Sequence, residues 1–411
     1  MSQQSDKASH REFDLLLFGA TGFTGRLVAE YLVEKKAPVK WALAGRNRER
    51  LESVRADLAA IDPQSASLPI VVGDSLDPAS MNAVAARTRV VCTTVGPYAK
   101  FGSALVAACA ENGTAYCDLT GEADWIRLMI DAHHDRAVAT GARIVPCCGF
   151  DSIPSDLGVF VLHDHAAKKG KRLAAAHLRV RKLKGGASGG TIASVFGMAE
   201  RIGDPAVKRV LGDPYALNPE GAHKGSDRRD QMGVRRDSPS GRWTAPFVMA
   251  SINTRVVRRS NALLDFAYGH DFQYDEAMDM GAGPGGWFRA VGLSAGLGLF
   301  LGAAALSPTR KLLSRFLPAP GEGPDRAARE AGFFKIAIDA VTTDGESLRA
   351  WVEADRDPGY GATAKMLGEA ALSLAMDDLP NRGGLLTPAS CMGMKLVERL
   401  QKTGIQLRVE A

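Results

Sequence analysis

A glycine-rich turn near the N-terminus carries the clearest chemical signal in this sequence. It reads GATGFTG over residues 19–25 and lies between an apolar run, DLLLFG, and a helix-compatible stretch, TGRLVAEYLVEKK. Glycine lets the backbone turn tightly and approach a phosphate, and the first N–H groups of a helix attract an anion. The alternative is a glycine turn that only packs a helix on a sheet. We predict that a dinucleotide cofactor binds at Gly19, Thr21, Gly22, Phe23 and Gly25.

The residue after the second apolar run indicates which dinucleotide binds. About twenty residues beyond Gly25, where an NAD-specific site carries an acid, the sequence has Ala44-Gly45-Arg46. A guanidinium group can stack on adenine and pair with a 2′-phosphate, so Arg46 predicts NADP(H) over NAD(H). The alternative is a solvated arginine at the start of a helix.

Three further candidates for the cofactor site follow the third and fourth apolar runs. Asp74, in VVGD, is expected near the adenine edge. Gly96 and Pro97, in TTVGPY, are expected near the diphosphate or the nicotinamide ribose. These assignments depend on the order of the strands in the sheet.

Three other residues are candidates for chemistry beyond the cofactor. Since a nicotinamide carries the hydride, the protein must orient the acceptor and stabilise or protonate the charge that develops. The hydroxyl of Tyr98 could donate to a developing oxyanion, and Asp151 and Ser152 could position substrate or solvent. The alternatives are a packing role for Tyr98 and a helix N-cap at Asp151 or Ser152, just before Pro154.

The elements that must position these residues alternate regularly as far as about residue 150. Short apolar runs, each followed by a helix-compatible stretch, predict about six parallel strands, and Gly113 and Gly141 lie where helix C-caps are expected. The runs are continuous, which is typical of a sheet covered by helices on both faces. We therefore predict a Rossmann-type doubly wound domain over residues 1–150.

The regular alternation of apolar runs and helix-compatible stretches ends after Asp151. The pattern that follows predicts an α+β domain with a largely antiparallel or mixed sheet over residues 151–411. HLRVRKLKG alternates like a half-exposed strand, and FKIAIDAVTTDGESLRAWVEAD reads as a hairpin around Asp-Gly. The polar stretch at about 221–241 reads as a loop. This domain would serve substrate binding or dimerisation, and its helices at about 359–404 could pack back on the first domain.

Composition narrows the classes of partner. The 51 basic and 46 acidic residues leave a net charge of +5, a mild excess that predicts no nucleic-acid binding. The six cysteines form no CxxC pair and the histidine pairs lack metal-ligand spacing, so no metal site is predicted. The polar N-terminus, MSQQSDKASHREF, lacks the apolar core of a signal peptide and predicts a cytoplasmic protein.

Three segments leave alternatives open. Ala290–Leu306 carries no charge and reaches the lower limit of a bilayer-spanning length, so it is either an apolar wall or a helix that contacts the inner face of the plasma membrane. KGGASGGT, at 184–191, is either a phosphate-binding backbone nest or a loop. Arg255, Arg258 and Arg259 either attract an acidic carrier protein or phospholipid headgroups, or form a solvated face.

Several ordered blocks make the chain resemble the saccharopine dehydrogenase-like oxidoreductases. They are GATGFTG, TTVGPYAKFG at 93–102, DLTGE at 118–122 and CGFDSIPSDLG at 148–158, and the resemblance continues to GGLLTPASCMG at 383–393. Within that family the chain is most similar to the mycobacterial trans-acting enoyl reductases. The resemblance implies NADP(H)-dependent reduction of an acyl chain carried on a polyketide synthase or acyl carrier protein, in envelope glycolipid biosynthesis.

Two other functions stay open at this point. One is reduction of an imine formed from an amino acid and a keto acid, as in saccharopine dehydrogenase, which needs polar clamps for carboxylates. The other is a non-catalytic scaffold that keeps the dinucleotide fold and docks on lipid. A homodimer is compatible with each of the three functions.

Overall fold

Two seven-stranded sheets organise the chain in this computed structural model, which describes residues 11–410 apart from 187, 188, 202, 239, 314 and 317–321. The strands of the first sheet are β1 (Phe13–Phe18), β2 (Trp41–Gly45), β3 (Ile70–Val72), β4 (Thr88–Thr93), β5 (Ala115–Cys117), β6 (Arg143–Val145) and β13 (Gly384–Leu385). Their order is β13-β6-β5-β4-β1-β2-β3, and every neighbouring pair is parallel. The six predicted parallel strands are confirmed, in the Rossmann order 3-2-1-4-5-6.

Both faces of this sheet are covered because its strands are apolar on both sides. Leu15 and Leu17 of β1 belong to one apolar cluster, and Leu16 and Phe18 belong to another on the opposite face. The helices of this part are α1 (Phe23–Glu34), α2 (Arg48–Ala59), α3 (Pro78–Ala86), α4 (Tyr98–Phe101), α5 (Ser103–Asn112) and α6 (Ala123–Thr140), with a 3₁₀ turn at Pro63–Ser67. Gly113 and Gly141 have φ of +65° and +76° and end α5 and α6, which confirms the predicted C-caps.

The second sheet is mixed, as predicted. Its strands are β7 (Leu173–Lys184), β8 (Arg235–Arg236), β9 (Trp243–Ala245), β10 (Gln273–Gly281), β11 (Phe333–Thr342), β12 (Ser347–Ala354) and β14 (Gln406–Glu410). In the order β14-β12-β11-β7-β10-β9-β8, the pair β7 and β10 is parallel and the other neighbours are antiparallel. The predicted hairpin is β11 and β12, and Gly345 in its turn has φ of +90°.

The C-terminal half of the chain returns to the first sheet. Its helices are α7 (Ile153–Ala167), α8 (Gly189–Arg201), α9 (Pro205–Gly212), α10 (Ala250–Leu263), α11 (Gly283–Ala305), α12 (Ser307–Leu313), α13 (Arg326–Glu330), α14 (Thr363–Met376), α15 (Pro388–Cys391) and α16 (Gly393–Gln401), with a π-helical turn at Pro358–Ala362. Helix α14 packs on α1, β1 and β4, and β13 pairs with β6. The domain limits at residues 150 and 151 stay predictions.

Both interpretations of the arginines in α10 are wrong. Arg255, Arg258 and Arg259 are buried, with exposed fractions of 2%, 3% and 2%. Arg258 donates to the carbonyl of Tyr274 at 2.8 Å, and Arg259 donates to the carbonyl of Leu385 at 2.6 Å. These side chains hold irregular backbone inside the protein because a buried carbonyl needs a donor. They are therefore neither a solvated face nor a surface for a carrier protein.

Candidate functional site

The glycine turn and the TTVGP segment, which carry most of the predicted cofactor residues, lie at the carboxyl ends of β1 and β4, where the strand order reverses. This is the place where open α/β sheets bind ligands. Thr94, just after β4, donates from Oγ1 to the carbonyl of Gly19 at 3.2 Å, and its N–H donates to the carbonyl of Phe18 at 3.0 Å. The glycine turn and the TTVGP segment therefore form the two sides of one crevice.

The backbone of the glycine turn admits no larger residue at two positions. Gly19 has φ of +95°, and a Cβ there would lie 2.7 Å from Val95 Cγ2. A Cβ on Gly25 would lie 2.2 Å from the carbonyl oxygen of Gly19. Helix α1 begins at Phe23 with Gly22 as its N-cap, and no described side chain caps it. Its first N–H groups therefore suit a phosphate, and the turn fits a dinucleotide.

Phe23 and Thr21 lie at the partly exposed mouth of this turn. The ring of Phe23 packs edge-on against Tyr360 with centroids 5.1 Å apart, and the guanidinium of Arg329 lies 5.7 Å from the centre of the same ring. A Cβ on Gly323 would lie 2.4 Å from Phe23 Cε1. Segments from the C-terminal half thus cover the glycine turn, and the cofactor roles of Phe23 and Thr21 stay predictions.

Arg46 and Asp74 lie at the carboxyl ends of β2 and β3, next to each other in the sheet. Gly45 pairs with Val72, and Arg46 follows Gly45 with an exposed side chain. One carboxylate oxygen of Asp74 accepts the N–H of Leu76 at 3.0 Å, so Asp74 stabilises the turn into α3. Arg46 is therefore placed where a 2′-phosphate would be accessible to it, which suits the predicted preference for NADP(H).

Gly96 and Pro97 lie between β4 and α4, and their cofactor roles stay predictions. Glu122, which the sequence analysis did not single out, holds the backbone that follows them. Glu122 accepts the N–H groups of Tyr98 at 2.8 Å and Ala99 at 3.1 Å. Gly96 is exposed, whereas the carboxylate of Glu122 is buried. Glu122 is the last residue of DLTGE, one of the blocks that carry the family resemblance, and this position was the available signal.

Glu122 also ties the crevice to the C-terminal half. Arg201, at the end of α8, pairs with Glu122 at 3.2 Å and with Asp124 at 3.0 Å. Both carboxylates are buried, and a buried carboxylate requires such a partner. Helix α8 is therefore fixed beside the segment that carries Gly96 and Pro97.

Tyr98 faces the interior of the protein. Its hydroxyl donates to the carbonyl of Thr93 at 3.3 Å and accepts the N–H of Leu119 at 3.4 Å, and its ring contacts Trp125. The residue is 3% exposed, and burial raises the pKa of its hydroxyl well above the usual value. The geometry favours the packing role of Tyr98 over the predicted catalytic one.

Ser152 and Asp151 differ in their surroundings although they are adjacent. Ser152 is fully buried at the N-cap position of α7, and its hydroxyl donates to Oδ1 of Asn253 at 3.1 Å instead of capping the helix. Asp151, where the chain leaves β6, is partly exposed as a whole residue, but its carboxyl group lies among protein atoms. Burial of its carboxyl and the nearby Asp118 raise the pKa of Asp151 to about 7. Asp151 can therefore hold a proton near neutral pH, whereas the geometry favours a structural role for Ser152.

The small-residue loop at 184–191 reaches the same region. Gly186 donates its N–H to Asp357 Oδ1 at 3.0 Å, and Asp357 also accepts the N–H of Tyr360 at 2.7 Å. Tyr360 in turn packs on Phe23. Residues 187 and 188, in the middle of the predicted phosphate nest, lie outside the described residues. The nest stays a prediction, and the loop is anchored near the glycine turn.

Comparison with known proteins identifies similar chains. Residues 15–145 match the saccharopine dehydrogenase NADP-binding domain. A Mycobacterium tuberculosis protein provisionally named as a trans-acting enoyl reductase is 45% identical, over 98% of each chain. The trans-acting enoyl reductase of Mycobacterium ulcerans is 41% identical, over 97% of this chain and 98% of the relative.

A solved structure shows a similar fold over nearly the whole chain. The apo saccharopine dehydrogenase (L-Glu forming) of Saccharomyces cerevisiae matches with a TM-score of 0.52 and 14% identity, over 96% of this chain and 99% of that one. At that identity the likeness concerns the fold alone. Both sheets, and not only the nucleotide-binding part, therefore have a known counterpart.

Proposed function

The chain belongs to the saccharopine dehydrogenase-like trans-acting enoyl reductases and is an NADP(H)-dependent oxidoreductase, and from this premise we propose that it reduces the carbon–carbon double bond of an enoyl thioester. The observation that carries the proposal is the similarity to enoyl reductases, which extends along both halves of the chain. This extent matters because residues outside the nucleotide-binding turn determine which substrate an enzyme of this fold accepts. We further propose that the substrate is a polyketide or other lipid-like acyl chain in glycolipid biosynthesis. A synthase or acyl carrier protein would deliver this acyl substrate to the protein in the cytoplasm.

In the proposed reaction the cofactor supplies a hydride and the protein supplies a proton. NADPH supplies a hydride when bound at the glycine turn, Arg46 and the segment of Gly96 and Pro97. Reduction adds that hydride, with its electron pair, to one alkene carbon. The electron pair of the broken π bond then forms the C–H bond between the other carbon and a proton. We propose Asp151 as the proton donor, because it follows β6 at the same edge of the sheet as the crevice and its raised pKa lets it hold a proton near neutral pH.

Asp151 gives this proposal a pH dependence. Because its raised pKa is about 7, the carboxyl is protonated below that pH and able to donate, and it loses the proton above it. We expect kcat to be flat in mild acid and to fall about ten-fold per pH unit well above pH 7. In Asp151→Asn, kcat should be lower by about 100-fold and this alkaline fall should disappear. Steady-state NADPH oxidation across the pH range measures both.

The neighbouring serine provides the control for this pH profile. Ser152→Ala removes a buried hydroxyl but no titrating group, so its alkaline fall should match that of the unaltered protein. An alkaline fall that persists in Asp151→Asn excludes Asp151 as the proton donor. The proposal of enoyl reduction would then remain, but another group would be the proton donor.

A comparison of two candidate substrates tests the proposed reaction itself. We expect the purified protein with NADPH to convert a trans-2-enoyl thioester, on coenzyme A or on a carrier protein, to a product heavier by two hydrogens. An amino acid mixed with a keto acid is the matched test of imine reduction. Turnover of the imine alone would replace the proposal, and binding of NADPH without turnover of either substrate would favour the scaffold.

A further inference from the structure

Helix α11 is an apolar helix that the protein leaves largely uncovered. It is the one helix among the described residues that is long and apolar enough to cross a membrane, and 11% of its most apolar stretch is buried. Phe288 is 68% exposed and Leu299 is 75% exposed, whereas Ala290 and Ala304 form part of a narrow buried strip. Soluble proteins seldom expose so continuous an apolar surface without a partner. This exposure is also evidence against a buried apolar wall at residues 290–306.

The sequence of α11 and of the segment just after it contains basic but no acidic residues. From residue 282 to residue 321 the sequence contains no aspartate or glutamate, but it contains Arg289, Arg310, Lys311 and Arg315. Arg310 pairs with Glu200 of α8 at 3.0 Å. Arg289 donates to the carbonyl of Met280 and pairs with no carboxylate among the described residues. Along the sequence, α11 and the residues that follow it up to residue 321 therefore carry only basic charges.

A second positive region comes from residues 226–242, which we call the arginine loop. Its three acidic residues are used inside the protein, in the pairs Asp227–Arg258 at 2.5 Å, Asp230–Arg255 at 2.9 Å and Asp237–Arg179 at 2.7 Å. Four exposed arginines then have no carboxylate partner in the described part of the chain: Arg228, Arg229, Arg235 and Arg236. These four line a cavity of about 510 Å³.

The arginine loop and the apolar helix meet at the beginning of α11. Arg236 also lines a second cavity of about 510 Å³, together with Trp243, Trp287 and Phe288. Trp287 and Phe288 pack edge-on with centroids 4.9 Å apart and are both exposed. Tryptophan beside arginine is the combination that favours the headgroup region of a bilayer.

We propose that this apolar–basic face, formed by α11 and the arginine loop, docks the protein on an anionic lipid bilayer. Helix α11 would lie in the interface and the arginines would contact acidic headgroups. A spanning helix does not fit, because β10 and β11, before and after it, belong to the same sheet. The return segment, residues 306–332, carries arginines, acids and prolines and is unsuited to a second crossing.

Two other occupants fit this face less well. A second copy of the chain would bring an equally positive surface against it, and like charges repel across an interface. An acidic carrier protein would match the arginine loop but not an exposed apolar helix roughly 35 Å long. A bilayer satisfies both the apolar and the basic part, and the proposal does not depend on the reaction that the protein catalyses.

Vesicle flotation of the full chain tests the proposal. We expect binding to phosphatidylcholine vesicles containing about a third phosphatidylglycerol to be on the order of ten-fold tighter than to phosphatidylcholine alone. The double variant Phe288→Glu with Leu299→Glu should bind both vesicles at least about ten-fold more weakly. Arg235→Ser with Arg236→Ser should reduce binding on the order of ten-fold for the acidic vesicles and leave the neutral ones unchanged.

Matched controls separate docking from folding and from catalysis. Leu128→Glu alters another exposed leucine (61%), on α6 and away from the apolar–basic face, and should bind vesicles normally. The variants that weaken vesicle binding should reduce a soluble enoyl thioester at the unaltered rate. A failure of the docking proposal can therefore be distinguished from a failure of the proposed reaction. The proposal is wrong if the unaltered protein binds neither vesicle or if the double variant in α11 binds normally. A dimer in light scattering that this double variant dissociates, without vesicle binding, would assign the face to a second copy.

Discussion

Replacing Gly25 with alanine is expected to abolish NADPH binding, with a loss of affinity of at least about 100-fold. The new Cβ would lie 2.2 Å from the carbonyl oxygen of Gly19 and 2.7 Å from Thr94 Oγ1, and the first of these is backbone that no rotamer change can move. Helix α1 must therefore shift away from β1, which opens the turn whose N–H groups would hold the diphosphate. Fluorescence titration with NADPH measures the loss.

The same substitution should lower stability, because relief of such an overlap typically costs about 1–3 kcal/mol. Gly203→Ala is the matched control, since a Cβ at Gly203 meets nothing within 4 Å. The control should bind NADPH as the unaltered protein does, and circular dichroism should show that both variants are folded. A folded Gly25→Ala protein with normal NADPH affinity would remove the glycine turn from the cofactor site.

Arg46→Ala is expected to weaken NADPH binding by about 10- to 100-fold and to change NADH binding little. The guanidinium is exposed at the end of β2, and a charge-assisted hydrogen bond to phosphate contributes about 1.5–3 kcal/mol. NADH lacks the 2′-phosphate, so only the weaker stacking contribution of Arg46 would be lost with it. Parallel titrations with the two nucleotides give the ratio directly.

A second arginine close by makes the control for this experiment specific. Arg48 is exposed in the first turn of α2 and contacts Glu52 at 4.0 Å, so Arg48→Ala removes the same charge from the same neighbourhood. It should leave the NADPH affinity within about two-fold, because screened surface charges contribute little. If Arg46→Ala lowers the affinities for NADPH and NADH equally, Arg46 supports the fold of the turn and does not select the 2′-phosphate.

The elements that depend on local pattern were predictable from the sequence. Strand β1 is apolar at successive positions because helices cover both of its faces, and that pattern is visible in DLLLFG. Gly19 must adopt a positive φ, and Gly345 must do the same in its hairpin, which only glycine does without strain. Covalent geometry and periodicity act over a few residues, so strands β1 to β6, the hairpin and the glycine turn follow from them.

Features that depend on distant neighbours were decided only by the tertiary structure. Strand β13 joins the first sheet from more than 200 residues away, and Arg259 in α10 donates to its Leu385. Whether a side chain is exposed depends on what packs over it, and this placed Tyr98 and Ser152 in the interior and left Asp151 partly open.

The charges give the clearest case of this division. The sequence shows arginines in α10 and arginines at 228–236 as equally basic clusters. The fold buries the first cluster and pairs Arg255 and Arg258 with Asp230 and Asp227 of the arginine loop. The arginines of that loop are thereby left without carboxylate partners among the described residues, beside the apolar helix α11. The number of charges is a property of the sequence. Which of them are neutralised is set by contacts between segments that are far apart along the chain, since ion pairing depends on distance in space.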